Sequence, residues 1–436
     1  MKPSTDELAN SIRTDSIGVQ AKLQERAPSP LHVQSASTTV ARRRSDAAGT
    51  PLTMVPGGKQ SEWLQSFPLI VHSHLRWDFV WQRPQQILSR LAKHHPILFL
   101  EEPVLSHDEA ALEISEPHPN VVRVIPRLRQ ADMADADAQA RAVLPLVQQA
   151  LRSHPLCAGR FEQPVQWFYS PMTAPVLLGQ FDARGVVYDC MDELANFRFA
   201  PADIGAREQF LLSRANVVFT GGYQLFESKS RSHANVHFYG CGVDVEHFGR
   251  ARGEELDVSP ALEGLPRPLI GYFGVIDERL DYELIATLAE SFPEATVVMA
   301  GPLAKVEAEQ LPTHANIRWL GQRAYEELPA LVKGFDVCLM PFALNDATRY
   351  INPTKTLEYL AGGKPVVSTA VADVVRNFGD VVAVANDADE FVEAVRAALD
   401  GVDPENIARG VARADAATWN ATVAEMRAHV QTGVRS

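Results

Sequence analysis

Short apolar runs alternate with helix-forming stretches along most of this chain, and the alternation comes in two separate series. A short apolar run bounded by turn residues fits a strand buried on both faces. Helical stretches between such runs supply the crossovers that parallel strands require. In the first series, strands are expected at 69–71, 97–100, 121–125, 165–169, 186–188, 217–220 and 236–239, with helices at 84–93, 138–151 and 207–215. The pattern then breaks into Gly, Pro and charged residues over 249–268, where an interdomain linker is expected. The second series has expected strands at 269–273, 296–300, 317–320, 337–340, 365–368 and 381–384, and helices at 282–291, 326–333, 353–361 and 388–399. A final helix is expected from about 404 to 430.

The chain therefore reads as α/β, with two Rossmann-like, doubly wound domains at 61–248 and 269–403 and a C-terminal segment at 404–436. Two such sheets place a cleft between their carboxyl ends, where ligands of this architecture bind. Residues 1–60 are rich in Ser, Thr, Ala and Gln and lack a sustained apolar period, so a disordered leader is expected. Arg42, Arg43 and Arg44 form a basic cluster there. It reads as a solvated tail, with weak peripheral attachment to an anionic membrane surface as the alternative.

A formal net charge of −13 argues against a general nucleic-acid binder. No apolar run approaches the roughly 18 residues that span a bilayer. Cys157, Cys190, Cys241 and Cys338 form no Cys-x-x-Cys pair, which suits reduced thiols in a cytoplasmic protein. No Gly-x-Gly-x-x-Gly follows the first strand and no Walker A motif is present, which weighs against dinucleotide-binding dehydrogenases and P-loop kinases. No Cys or carboxylate repeats at ligand spacing, so no metal site is expected.

The loop after the first strand carries His72, His74, Arg76, Trp77, Phe79, Trp81 and Arg83. Rings in such a loop either stack on sugars, hold a lipid tail or fill the top of the core. Arg83 precedes Pro84 at a helix N-terminus, where a cation is locally unfavourable, so a functional or ion-paired role is expected. His72 and His74 end a strand inside the expected cleft, which makes His74 a catalytic candidate. Asp189, Asp192 and Glu193 follow another strand, and Asp192 is the preferred general base for an acceptor hydroxyl. The bland reading of these carboxylates is capping or ion pairing.

In the second half, Gly274 allows close backbone approach to a ligand, and Arg279 can clamp a diphosphate. Gly301 and Gly321 end neighbouring strands, with Arg323 just beyond. The stretch Asn352-Pro-Thr-Lys-Thr-Leu-Glu-Tyr-Leu-Ala-Gly-Gly-Lys-Pro365 reads as a short helix, with Asn352 as N-cap, Pro353 as first residue and Gly362 or Gly363 as its end. Its first turn carries Thr354 and Lys355. A cation there, with free N–H groups, suits a phosphate, and Glu358 one turn on can bind sugar hydroxyls.

These residues resemble the GT-B fold glycosyltransferases, close to the large family 4 group, from about Leu69 to the C-terminus. The most specific match is 352–368. Residues 75–92 resemble the start of a bacterial subgroup linked to cell-surface polysaccharide assembly, and 240–248 resemble the stretch leading into the second domain. The resemblance implies a nucleoside-diphosphate sugar, UDP- or GDP-linked, in the second half, and a glycan or lipid-linked acceptor in the first. It implies no cofactor and no metal, and a protein acting in the cytoplasm or at the inner face of the membrane. Glu358 matches the ribose-binding glutamate, and Lys355 with Pro353 and Thr354 matches the phosphate clamp. Arg279 falls in the region of the donor-phosphate cation, and Arg323 where the base is recognised. Asp192 and His74 are the expected catalytic residues, and Arg76, Trp77, Trp81 and Arg83 the expected acceptor contacts. Tyr350 stands where the family usually has a glutamate, which leaves retaining and inverting transfer both open. A sugar-nucleotide epimerase of the same fold and an inactive scaffolding relative are the alternatives.

Overall fold

The computed structural model describes residues 66–434. The expected leader at 1–60, with Arg42, Arg43 and Arg44, lies outside the described residues.

The first half is built on β1 (Leu69–Ser73), β2 (Ile97–Glu101), β3 (Val104–Leu105), β4 (Ala111–His118), β5 (Val121–Leu128), β6 (Val165–Phe168), β7 (Gly185–Cys190), β8 (Val217–Thr220) and β9 (Val236–Phe238). They form one sheet in the order β3-β5-β2-β1-β6-β7-β8-β9, with β4 paired to β5. All pairs are parallel except β4 with β5. Strands β1, β2 and β6 are buried along their whole length, which is why they read as largely apolar runs, with Gln166 the one polar residue inside β6. The edge strand β4 escapes that signal because its Glu113, Ser115 and Glu116 alternate with apolar residues over a half-exposed face.

The second half contains β10 (Leu269–Phe273), β11 (Thr296–Ala300), β12 (Ile317–Gly321), β13 (Val337–Met340), β14 (Val366–Thr369) and β15 (Ala383–Ala385). They are all parallel, in the order β12-β11-β10-β13-β14-β15. Strand order reverses beside β10, whose neighbours are β11 and β13. Chain leaving β10 and β13 therefore diverges to opposite faces and opens a crevice at their carboxyl ends. In the first sheet β1, between β2 and β6, plays the same part.

The stretch 249–268, expected as linker, is folded onto the second half. Val243, Phe248, Ala251 and Leu262 are all buried in the second core, so the chain has entered that domain by Val243. The expected single C-terminal helix is two, Pro404–Ala416 and Trp419–Gly433. The break falls at Thr418, whose side chain caps the second helix by accepting from the Ala421 N–H. Val243 pairs with the chain there, donating to Ala417 O at 2.9 Å. Ala414 of the first helix is buried in the second-half core. Trp419, Val423, Met426 and Val430 of the other are buried with Leu69, Ile87 and Phe219 of the first half. Each fully buried side chain of this kind stabilises the crossing by roughly 1.5–3 kcal/mol. Among the described residues, no helix is long and apolar enough to cross a membrane.

Candidate active site

A cavity of about 550 Å³ lies where the carboxyl ends of the two sheets face each other. That volume is within the range of small-molecule sites. Its walls come from the loops after β1, β7, β8 and β9 on one side, and after β10, β11, β12 and β13 on the other.

The helix Lys355–Ala361 stands behind the second wall. It buries Leu357, Leu360 and Ala361 against the second-half core, while Lys355 and Glu358 line the cavity. The i and i+3 positions of a helix share a face, so the two side chains are presented together. Gly362 ends the helix and Gly363 follows with φ of +70°. The start differs from the expected one. The helix begins at Lys355 with Thr354 at the cap position, and no side chain caps it. Asn352 instead reaches across to the first half, its Nδ2 donating to Gly221 O at 3.0 Å. Cys241 Sγ donates to Asn352 O at 3.0 Å. Asn352 and Pro353 thus form a strut between the halves rather than the first turn, and both line the cavity with Thr354.

The Lys355 ammonium has no hydrogen bond or ion pair among the described residues. Its Nζ lies 6.0 Å from the Tyr272 ring centre and 5.9 Å from that of Phe273. Burial lowers its pKa, with Glu358 opposing. Burial pushes the Glu358 carboxyl up to about 7, with Lys355 opposing. Two oppositely charged groups on one apolar wall, neither side chain hydrogen-bonded among the described residues, leave a cation and an acceptor facing open space.

Gly274 has φ of +148° and Gly301 φ of +154°. A Cβ on Gly301 would stand 1.7 Å from Gly274 O, so only glycine lets these two loops touch. Both line the cavity. Arg279 also lines it, but its guanidinium is already engaged by Asp277, with Nε 3.0 Å from Oδ1 and Nη2 2.6 Å from Oδ2. The pairing leaves it a fixed, half-buried cation. Arg323 donates from Nη2 to Leu320 O at 2.9 Å, and beside it Tyr325 lines the same end.

On the first wall, Asp192 is half-buried at the cavity. Burial raises its pKa, with Arg279 across the cleft acting the other way. Tyr350 does not line the cavity; it is partly buried against the first-half core cluster that contains Tyr188, Leu211 and Leu225.

Of the other expected first-half residues, Trp77, Trp81 and Arg83 line the cavity, whereas His74 and Arg76 do not. His74 is not part of the cavity wall, and burial holds it down at about 4, with Lys305 adding to the effect. His72 is stacked on Phe168 at 4.2 Å in the core. Arg76 is also outside the wall, donating to Glu101 Oε2 at 3.0 Å and to Glu102 O. Trp77 is a wall residue whose ring is buried edge-on against Phe99, 5.2 Å between centres. Arg83 lines the cavity and is ion-paired: Nε donates to Asp189 Oδ1 at 3.0 Å and Nη1 to Tyr239 O at 2.8 Å, while Nη2 lies 2.9 Å from Asp189 Oδ1 without a hydrogen bond of its own. A buried cation requires such partners, so Arg83 stands in the wall as the ion-paired residue that its place at a helix N-terminus suggests.

Trp81 does line the cavity, but beside the second half. Its ring centre is 5.7 Å from that of Tyr325. Gln322 Nε2 donates to Phe79 O, and Gln86 Nε2 to Tyr325 Oη at 2.9 Å. The aromatic loop therefore bridges to the segment after β12. Tyr325 and Gln322 were not legible as site residues; the Gly321-Gln-Arg turn at a strand end is the only local signal for them. Among the described residues, no group of three or more His, Cys, Asp or Glu is placed to hold a metal ion.

Residues 267–401, which supply β10 to β15 and the helix carrying Lys355 and Glu358, match a family model described as Glycosyl transferases group 1. Over those residues the second half of this chain is similar to the glycosyl transferases group 1 domain. The chain is also similar to TuaH of Bacillus subtilis (strain 168), whose name assigns it an inferred role as a teichuronic acid biosynthesis glycosyltransferase. The two are 27% identical over 219 residues, 47% of this chain and 54% of the relative. The chain thus spans about half the length of that curated relative. Among solved structures, a sucrose-phosphate synthase from Thermosynechococcus elongatus matches with a TM-score of 0.61 at 15% identity, over 85% of this chain and 100% of that one. An E. coli trehalose-6-phosphate structure bound with UDP-2-fluoro glucose matches with a TM-score of 0.60 at 14% identity, over 85% and 99%. At that identity the likeness is one of fold. The two halves of this chain share the two-domain GT-B architecture of those structures.

Proposed function

We propose that this protein transfers a sugar from a nucleoside-diphosphate sugar to a hydroxyl of a glycan or lipid-linked acceptor, in the assembly of a cell-surface polysaccharide. The observation that carries this reading is the pair Lys355 and Glu358, both side chains without a hydrogen bond among the described residues and both facing the cleft from one helix of the segment that resembles a group 1 domain. A diphosphate needs a cation with free donors, and a ribose needs an acceptor for its hydroxyls. The name of the Bacillus relative supports the polysaccharide setting.

In this reading the diphosphate lies against Lys355 and the Gly274 backbone, with Arg279 adding positive charge. The ribose hydroxyls donate to Glu358, and a uracil or guanine base extends toward Arg323, Tyr325 and Trp81. The acceptor enters from the side of Asp192. As the acceptor oxygen bonds to the anomeric carbon, the carbon–oxygen bond to the diphosphate breaks and charge builds on the leaving group. Fixed cations there are worth roughly 3 kcal/mol or more in the transition state. Asp192 takes the acceptor proton, which favours inversion; its raised pKa makes it a better base than an exposed aspartate. The reaction takes place in the cytoplasm, at the inner face of the membrane when the acceptor is lipid-linked.

A thermal-shift screen of UDP, GDP and their sugar conjugates tests the reading. One nucleotide series should raise the melting temperature, and one sugar in it should release diphosphate in the presence of acceptor. Stabilisation by none of them at millimolar concentration would contradict it.

A further inference from the structure

Next to Asp192 along the chain, and not lining the cavity, lies a buried charge cluster. Lys229 is the last residue of the helix Tyr223–Lys229 and is only 4% exposed. Its Nζ contacts Glu193 at 3.0 and 2.8 Å and Glu208 Oε2 at 2.7 Å. Glu208 sits on the helix Ile204–Leu212, and its other oxygen accepts from Tyr188 Oη at 2.7 Å. Tyr188 and Cys190 belong to β7, the strand that leads into Asp192. Cys190 Sγ donates to the backbone oxygen of Asp192 at 3.4 Å.

Asp192 is thus held from both sides along the chain. Its carbonyl receives the Cys190 thiol, and the next residue, Glu193, is gripped by Lys229. Burial disfavours the charge on Lys229, but the surrounding acidic groups outweigh it and keep the ammonium protonated. A doubly contacted carboxylate beside a buried ammonium has little freedom to move. The same helix starts just after Gly221, itself a wall of the cavity and the acceptor of the Asn352 strut. The cluster therefore braces two adjacent pieces of the first wall.

We propose that Lys229 is a positioning residue that fixes Asp192 for proton transfer by clamping Glu193, with Glu208 anchoring the clamp to Tyr188. The assignment rests on Asp192 being the base, and the test keeps the two ideas apart. Four variants are compared: Asp192→Asn, Lys229→Met, Lys229→Arg and Glu193→Gln. Turnover is followed as diphosphate release from the UDP- or GDP-sugar that stabilises the protein. Calorimetric titration with UDP or GDP reads the donor site separately.

Asp192→Asn should abolish turnover. Lys229→Met should lower kcat by about ten- to a hundredfold, the scale of a small misplacement of a reacting group. It should also shift the acid limb of the pH–rate profile while leaving the UDP or GDP Kd within about twofold. Lys229→Arg, which restores a cation, should recover part of kcat. Glu193→Gln keeps the volume and should lower kcat in the same direction, so it carries the test if Lys229→Met does not fold. If Asp192→Asn is inactive while Lys229→Met and Glu193→Gln keep wild-type kcat and pH profile, the positioning role is overturned and the base assignment stands. If Asp192→Asn turns over normally, the base assignment itself fails and the positioning role with it.

Discussion

Lys355 fills the space that a side chain at position 274 would need: a Cβ on Gly274 would stand 2.0 Å from Lys355 Cε and 2.6 Å from Tyr272 Oη. The conformation of Gly274, with φ of +148°, is also one that other residues rarely adopt. Gly274→Ala should therefore displace the ammonium from the diphosphate position. Diphosphate affinity should fall about tenfold or more, with a stability loss of roughly 1–3 kcal/mol from the strained backbone. Calorimetry and denaturant melts on the variant check both; unchanged diphosphate binding would detach Gly274 from the donor site.

Glu358 gives a pH dependence with a definite sign. Its ordinary value is 4.5 and burial raises it to about 7 in the folded chain. Between those values the folded chain binds more protons than the unfolded one, so stability falls as pH rises and the full cost is present above about 7. Glu358→Gln should therefore be more stable than the parent at about pH 8, by roughly 3 kcal/mol, with the difference shrinking toward about pH 4.5. The carboxylate form is the better acceptor for ribose hydroxyls. Nucleoside affinity should accordingly rise with pH through about 7 in the parent and stay flat in the variant. A parent whose melting curve and nucleoside affinity ignore pH in that window would contradict this.

Arg83 and Asp189 make a pair whose loss should be structural. Arg83→Met leaves the Asp189 carboxylate buried without its cation, which typically costs about 3–5 kcal/mol. Adding Asp189→Asn should recover much of that loss. A double variant no more stable than Arg83→Met alone would show that the pair is not coupled.

Trp81 should act on the nucleobase and not on the phosphates. Its ring sits 5.7 Å from Tyr325 at one end of the cavity. Trp81→Ala should weaken nucleoside binding by roughly 0.5–1.5 kcal/mol and leave inorganic pyrophosphate binding unchanged. Equal losses for both ligands would place the base elsewhere.

The buried strands were legible because β10, β11 and β13 are apolar on both faces, and each occupies the expected residues. β4 was not, because a strand wet on one face with charged residues resembles a loop. The helix carrying Lys355 and Glu358 was readable from its leucine spacing and its closing glycines. Its start was not, since Asn352 has the chemistry of a cap but finds a better partner in Gly221, 131 residues away in sequence. The same limit explains Arg83 and Arg76. An ion pair could be anticipated for Arg83 from its place at a helix N-terminus, but the carboxylate partners of Arg83 and Arg76 become visible only when β7 and β2 are folded beside them. Trp81 was assigned to the acceptor because it follows a first-half strand, whereas closure of the halves brings it to Tyr325.

The central claim is that Lys355 holds the diphosphate and Glu358 the ribose of one donor. Calorimetric titration of nucleoside and of nucleoside diphosphate into the parent, Lys355→Ala and Glu358→Ala tests it most directly. Loss of Lys355 should weaken the diphosphate by about tenfold or more while sparing the nucleoside, as expected for a charge-assisted contact. Loss of Glu358 should weaken both ligands by a similar factor. Both variants binding the diphosphate as the parent does would mean that the donor site is not in this cleft.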